Sequence, residues 1–160
     1  HVAPELGADG MDNVEFLISA NAGEAPRPMA RIASGGELSR IMLAIKTVLA
    51  DKDDVPTLIF DEIDAGVSGL AAERIGQKLQ EIAAYRQVLC VTHLAQLAVR
   101  ADAHLLIEKS VRDGRTFTQI LPLDEDGRLR EIARIMGGSS QTRTMLEGAL
   151  ELLASSRRKP

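Results

Sequence analysis

Two short apolar runs that stop abruptly at polar pairs constrain this chain more than any other feature. Pro56 introduces Thr57-Leu58-Ile59-Phe60, which ends at Asp61-Glu62, and Val88-Leu89-Cys90-Val91 ends at Thr92-His93. Neither run alternates apolar with polar residues as a half-exposed strand would. Each therefore reads as a strand buried on both faces, the pattern of a parallel sheet. Between them Ser68 opens a stretch with Ala71, Ile75, Leu79 and Ile82 at helical spacing, facing inward. Strand, helix, strand predicts an α/β fold, a mostly parallel sheet flanked by helices with an antiparallel hairpin, and ligands of such sheets gather at the carboxyl ends of the strands. Asp61, Glu62, Thr92 and His93 all fall at those ends.

The remaining pattern is consistent with one domain over residues 1–160. Asn13 to Ser19 reads as a strand with Val14, Phe16 and Ile18 on one face, followed by a connector rich in Pro and Gly from Asn21 to Ile32. Leu38, Ile41, Met42, Ile45 and Leu49 then mark the core-facing stripe of a helix. A short helix is expected over Leu94 to Val99. Strands His104 to Lys109 and Arg115 to Leu121 flank Asp113-Gly114, a hairpin signal. Helices over Leu129 to Met136 and Thr142 to Ala154 are separated by Gly137-Gly138, and Arg157 to Lys159 reads as a solvated tail. The chain opens at His1 rather than Met, so it is expected to be a piece of something longer.

Composition excludes several function classes. The net charge of -4 argues against a polyanion binder, and 2% aromatic residues leave no platform for stacking single-stranded bases. No apolar run is long enough to cross a bilayer. The single Cys90 cannot form an internal disulfide and reads as a buried free thiol in a reducing compartment. Cysteine and histidine are scattered, without metal-ligand spacing, and there is no G-x-S-x-G elbow. Nor does G-x-x-x-x-G-K-[ST] occur, so this stretch lacks the loop that cradles α- and β-phosphates.

Four constellations carry chemistry. Adjacent carboxylates at a strand end point different ways, so of Asp61 and Glu62 one could serve Mg²⁺ while the other polarises a water. An acidic pair that merely caps the strand exit has the same form. Ser34-Gly35-Gly36-Glu37-Leu38-Ser39-Arg40 puts two glycines and a hydroxyl at a helix start, whose free N–H groups and dipole favour an anion. The same residues have the form of a capping box, Ser34 and Glu37 satisfying each other's backbone donors. His93 could hydrogen-bond a terminal phosphate or be a satisfied structural residue. Asp64 to Gly69 is a glycine-bearing loop in which Ser68 can cap the next helix.

Taken in order, Ser34 to Arg40, Leu58 to Glu62, Asp64 to Gly69 and Val91 to His93 resemble the C-terminal lobe of an ABC-type ATPase head. The implied labels are signature motif, Walker B strand, D-loop and H-loop. Glu37 and Ile63 stand where transporter ATPases usually carry Gln and Pro, so the resemblance is to the SMC-like branch and, within it, to DNA-repair ATPases. Ala95, where that pattern expects Pro, is a departure that touches local backbone shape. The resemblance implies ATP and Mg²⁺ as cofactors, with Asp61 on the metal, Glu62 activating water and His93 holding the γ-phosphate. Ser34, Gly35, Gly36 and Glu37 would meet the nucleotide of an opposite head, with Asp64 and Ser68 completing the nucleotide-binding set across the interface. Implied partners are an N-terminal P-loop lobe of the same protein, a second head in a homodimer, and DNA through the complete protein. No membrane is implied, and the setting would be the bacterial cytoplasm, at the nucleoid. The alternatives are a transporter ATPase fragment, or a non-catalytic module binding DNA or a partner through Arg112, Arg115 and the Arg157 to Lys159 tail.

Overall fold

The computed structural model describes residues 2–7, 10–12, 14–19, 23–31, 34–49, 52, 54–138 and 142–156, with side chains described from residue 10 onward. Its strands are β1 Val2–Gly7, β2 Gly10–Asp12, β3 Leu17–Ile18, β4 Arg27–Pro28, β5 Thr57–Phe60, β6 Gln87–Cys90, β7 Leu105–Arg112 and β8 Arg115–Pro122. Its helices are α1 Gly35–Val48, α2 Gly69–Ala83, α3 Ala95–Ala98, α4 Glu125–Gly137 and α5 Arg143–Ser156.

The α/β class expected from the pattern is what forms. β5 and β6 pair in parallel, Thr57 opposite Gln87 through Phe60 opposite Cys90, with α2 as the crossover between them. This is the one parallel pair among the described residues, so the sheet expected to be mostly parallel is not seen there. The other three pairs, β1–β2, β3–β4 and β7–β8, are antiparallel. Leu58 and Phe60 are buried and Val88 and Cys90 half-buried against α1 and α2, joining Leu43, Ile63, Ala72, Leu79, Ile82 and Leu97 in one core.

The opposite face of the pair stays open, contrary to the expectation that both faces are buried. Ile59 is 70% exposed, and Leu89 and Val91 are exposed beside it. The stripe of α1 is likewise half-covered: Leu43 is buried, Ile41, Met42 and Ile45 are partly so, and Leu38 and Leu49 are exposed. On α2 the buried line is Ala72, Gly76, Leu79 and Ile82, with Ala71 outward. The one-residue shift follows from Gly76, which lets α2 lie against Arg100 and the Gln96 carbonyl at the end of α3.

A second core joins Ala95, Ala98 and Val99 to Ile132, Ala133, Ala149 and Leu153 of α4 and α5. Arg128, buried on α4, clamps the end of α3 by donating from Nη2 to the carbonyls of Val99 (2.9 Å) and Ala101 (2.5 Å). α4 starts earlier than its apolar periodicity predicts because Asp124 caps it, accepting from Gly127 N–H at 2.8 Å. The hairpin turn is the expected one: Asp113 and Gly114 take φ of 51° and 71°, joining β7 to β8 through two residues.

The strand expected over Asn13 to Ser19 shrinks to β3, leaving Val14 and Phe16 exposed, and Asn13 lies outside the described residues. The connector expected from Asn21 to Ile32 holds β4 and a 3-10 turn at Met29–Arg31, while its own ends, Asn21 and Ile32, also lie outside. The tail from Arg157 to Lys159 lies outside the described residues too. No helix among those described is long and apolar enough to cross a membrane.

Candidate functional site

The carboxyl ends of β5 and β6 and the start of α1 meet at one edge. β5 delivers Asp61 and Glu62 into a tight turn closed by Ala65 N–H donating to the Glu62 carbonyl at 3.0 Å. Glu62 sits in the left-handed region, at φ 56°, which a residue with a Cβ enters only under strain. Its side chain is exposed, as is that of Asp61, whose Oδ1 accepts from the Glu62 N–H at 2.9 Å. Such strain is characteristic of positions where the aim of a side chain matters.

α1 is stitched to this turn by two residues whose part the sequence did not disclose. Ser39 Oγ donates to the Asp61 carbonyl at 2.8 Å, and Arg40 Nη1 donates to the carbonyls of Ile63 (3.2 Å) and Ala65 (2.9 Å). The available signal was spacing: Arg40 follows Gly36 by four residues and so shares its helix face. The glycines are what permit the approach. A Cβ at Gly36 would lie 2.8 Å from the Glu62 carbonyl oxygen, and one at Gly35 would lie 2.5 Å from Glu62 Oε2.

Ser34 holds the N-cap position of α1 with extended backbone, yet its side chain makes no capping bond. The Ser34 arm of the capping box is therefore not formed, and the hydroxyl is not spent on the helix. Glu37 lies exposed in the first turn. Ser68 likewise occupies the N-cap position of α2, exposed and without a side-chain capping bond. Gly66 and Gly69 on either side of it take positive φ, 70° and 54°, as a tight turn requires.

Asp64 turns inward. It is 2% exposed, and its Oδ2 accepts from Thr92 Oγ1 at 2.6 Å and from the His93 N–H at 2.9 Å. The Thr92 hydroxyl in turn accepts from Leu94 N–H at 3.0 Å. The two strand-exit loops are thereby tied together, and the His93 ring projects from the knot with 74% of its side chain exposed. Beneath them the half-buried Cys90 thiol is pushed up to about 12, first by burial and then by the negative charges of Asp64 and Asp61. The thiol thus registers the negative field of this edge.

Among the described residues no three His, Cys, Asp or Glu side chains gather closely enough to hold a metal by themselves. A magnesium ion bound with a nucleotide needs only one or two carboxylates, the rest of its shell coming from phosphate and water. Asp61, exposed at the strand exit, fits that requirement. The donors suited to phosphate are the first-turn N–H groups of α1 and the Ser34 hydroxyl, reached past two glycines without Cβ atoms.

Over 153 residues, 96% of its length, the chain is 49% identical to DNA repair protein RecN of Treponema pallidum. The chain is similar to RecN along nearly its whole length. RecN of Bacillus subtilis is 46% identical over 149 residues, 93% of the chain. The chain spans about a quarter of the length of these curated relatives, 27% and 26%. A match to RecN that leaves out only seven of 160 residues must include the stretch from Ser34 to His93 that holds the site. No protein-family model matches the chain. Among solved structures it is similar to an SMC head domain from Thermotoga maritima, at 26% identity over 64% of this chain and 37% of that one, with a TM-score of 0.43.

Proposed function

We propose that this chain is part of the ATP-binding and hydrolysing head of a RecN-like protein that acts in repair and recombination of DNA double-strand breaks in the bacterial cytoplasm, at the nucleoid. The observation that carries the reading is the meeting, at one edge, of the glycine-headed start of α1, the Asp61-Glu62 exit and the Thr92-His93 exit, within a stretch similar to RecN.

Bound ATP with Mg²⁺ supplies the γ-phosphoryl group and the cation that neutralises its charge. The chain's own residues divide the remaining work. Asp61 offers an exposed carboxylate to the cation. Glu62, its backbone held at positive φ, aims a second carboxylate at a water and takes its proton. Ser34, Gly35, Gly36 and Glu37, at the start of α1, present donors to the phosphate of a second head, and the exposed Ser68 loop lies beside the same interface. His93 faces the γ-phosphate.

The P-loop lacking here would come from an N-terminal lobe of the same protein. The open apolar face of β5–β6, with Ile59, Leu89 and Val91 exposed, supports a lobe that covers it. Two heads would then enclose two nucleotides in a homodimer, and DNA would be engaged by the complete protein.

The test is Glu62→Gln in the full-length protein. The variant should bind ATP, hydrolyse it at least a hundredfold more slowly and remain dimeric in ATP by light scattering. Hydrolysis at the parental rate would remove Glu62 from its assigned role.

A further inference from the structure

The resemblance casts Asp64 as a residue that acts across an interface, but its geometry commits it within its own chain. Its Oδ2 receives the Thr92 hydroxyl at 2.6 Å and the His93 N–H at 2.9 Å, and lies 3.2 Å from His93 Nδ1. A carboxylate only accepts hydrogen bonds, so a lone pair on the ring nitrogen 3.2 Å away would repel it, and a hydrogen on that nitrogen is the favoured arrangement. The neutral imidazole then has a bare Nε2, and with 74% of the side chain exposed that nitrogen is the one open to a ligand.

We propose that Asp64 is the positioning residue for His93, holding the ring in its Nδ1–H tautomer so that Nε2 faces outward. The functional weight of this inference rests on the reading of His93 as the residue that faces the γ-phosphate. For Nε2 to donate to a phosphate oxygen it must first take up a proton. Both ring nitrogens then carry hydrogen, Nδ1 turned to Asp64 and Nε2 to the ligand. Thr92 keeps the carboxylate in place: its hydroxyl donates to Asp64 and accepts from Leu94 N–H, fixing the loop that carries the ring.

The geometry also distinguishes between two replacements of Asp64. Asparagine at this position retains an acceptor oxygen where Oδ2 lies, and can still receive the Thr92 hydroxyl and the His93 N–H while facing the ring nitrogen. Alanine removes the acceptor and frees the ring to take the Nε2–H tautomer that dominates in free imidazole side chains.

The measurement is the two-bond ¹H–¹⁵N spectrum of the ¹⁵N-histidine-labelled chain at about pH 8, above the usual titration range of histidine. The His93 signal is assigned by its loss in His93→Gln. The wild-type ring should show a protonated Nδ1 and a bare Nε2. Asp64→Asn should retain that pattern, and Asp64→Ala should shift the ring to mainly Nε2–H. A role confined to tying the loops together would alter thermal stability and leave the tautomer of every folded variant alike. A wild-type ring with bare Nδ1 overturns the proposal even if Asp64→Ala does not fold, and so does an unchanged spectrum in folded Asp64→Ala. Failure of the full-length protein to hydrolyse ATP would instead overturn the proposed function, and the ring spectrum is independent of it.

Discussion

Adding one methyl group to each of the two adjacent glycines at the start of α1 should have very unequal consequences. At Gly36 the new Cβ would lie 2.8 Å from the Glu62 carbonyl oxygen, 2.9 Å from the Ala65 Cβ and 3.0 Å from Arg40 Nη1. Two of those neighbours belong to the turn itself and cannot swing aside, so α1 must retreat from it. That retreat strains the Ser39–Asp61 and Arg40–Ala65 hydrogen bonds. Overpacking of this kind costs about 1–3 kcal/mol, and a strained charged hydrogen bond adds about 1 kcal/mol more. Helix propensity returns up to about 1 kcal/mol on replacing Gly by Ala. Gly36→Ala should therefore destabilise the chain by about 2 kcal/mol. At Gly35 the new Cβ meets Glu62 Oε2 at 2.5 Å and its Cδ at 3.7 Å, the far end of an exposed, flexible side chain. Glu62 can rotate away, so Gly35→Ala should leave stability within about 0.5 kcal/mol of the parent, as at an ordinary surface site. Urea unfolding followed by circular dichroism separates the two. With a slope of about 2 kcal/mol per molar, the Gly36→Ala midpoint should fall by about 1 M and the Gly35→Ala midpoint should barely move. Equal losses, or a larger loss at Gly35, would refute the inference that the turn and not the Glu62 side chain limits the approach of α1.

Two more expectations concern protons. His104 titrates below its ordinary 6.5, chiefly because burial disfavours its charge and next because Arg128 repels it, while Glu131 opposes the shift; its Nδ1 is buried without a hydrogen-bond partner. The folded state therefore favours the neutral ring, and its contribution to stability is complete above 6.5 and declines as pH falls through the depressed value. Urea midpoints between about pH 8 and pH 5 should fall more steeply in the wild type than in His104→Gln, and parallel curves would exclude His104 as the cause. The Cys90 thiol, pushed up to about 12, should be almost wholly protonated in the folded chain at pH 8, roughly one part in ten thousand being thiolate. Modification by a disulfide reagent should be slow in buffer and fast in urea, whereas fast labelling of the folded chain would contradict the burial and the negative field assigned to it.

Elements whose determinants are local were legible in the sequence. The β7–β8 turn needed only Asp113-Gly114, and the start of α1 only a polar residue before a helical stripe. Asp61, Glu62 and His93 could be located because an abrupt polar end to an apolar strand determines position along the chain. Contacts that form only after the chain folds were hidden. Nothing local makes Ser39 and Arg40 reach a turn 22 to 25 residues away, or turns Asp64 inward to a loop 28 residues on. Capping at Ser34 and Ser68 was predicted from residue type, yet at both positions the backbone is extended as a cap requires and the side-chain bond is not made. Residue type marks where a helix starts, while the bond itself depends on a rotamer that sequence does not determine.

The failed expectation about β5 and β6 carries the most physical content. Thr57 to Phe60 and Val88 to Val91 have no polar alternation, a pattern suited to strands covered on both sides. In the described structure one side is covered by α1 and α2, while Ile59, Leu89 and Val91 face outward. Stability of this chain alone gives no reason to place three aliphatic side chains side by side on an open strand face, because exposed β-branched and leucine residues contribute nothing there and invite association. The pattern is accounted for if the face is covered in the complete protein by the proposed P-loop lobe. On that reading Ile59→Thr should leave the urea midpoint of this chain almost unchanged, since the side chain is already 70% exposed, and should destabilise the full-length head. An equal effect in both would mean that the face is not a lobe interface.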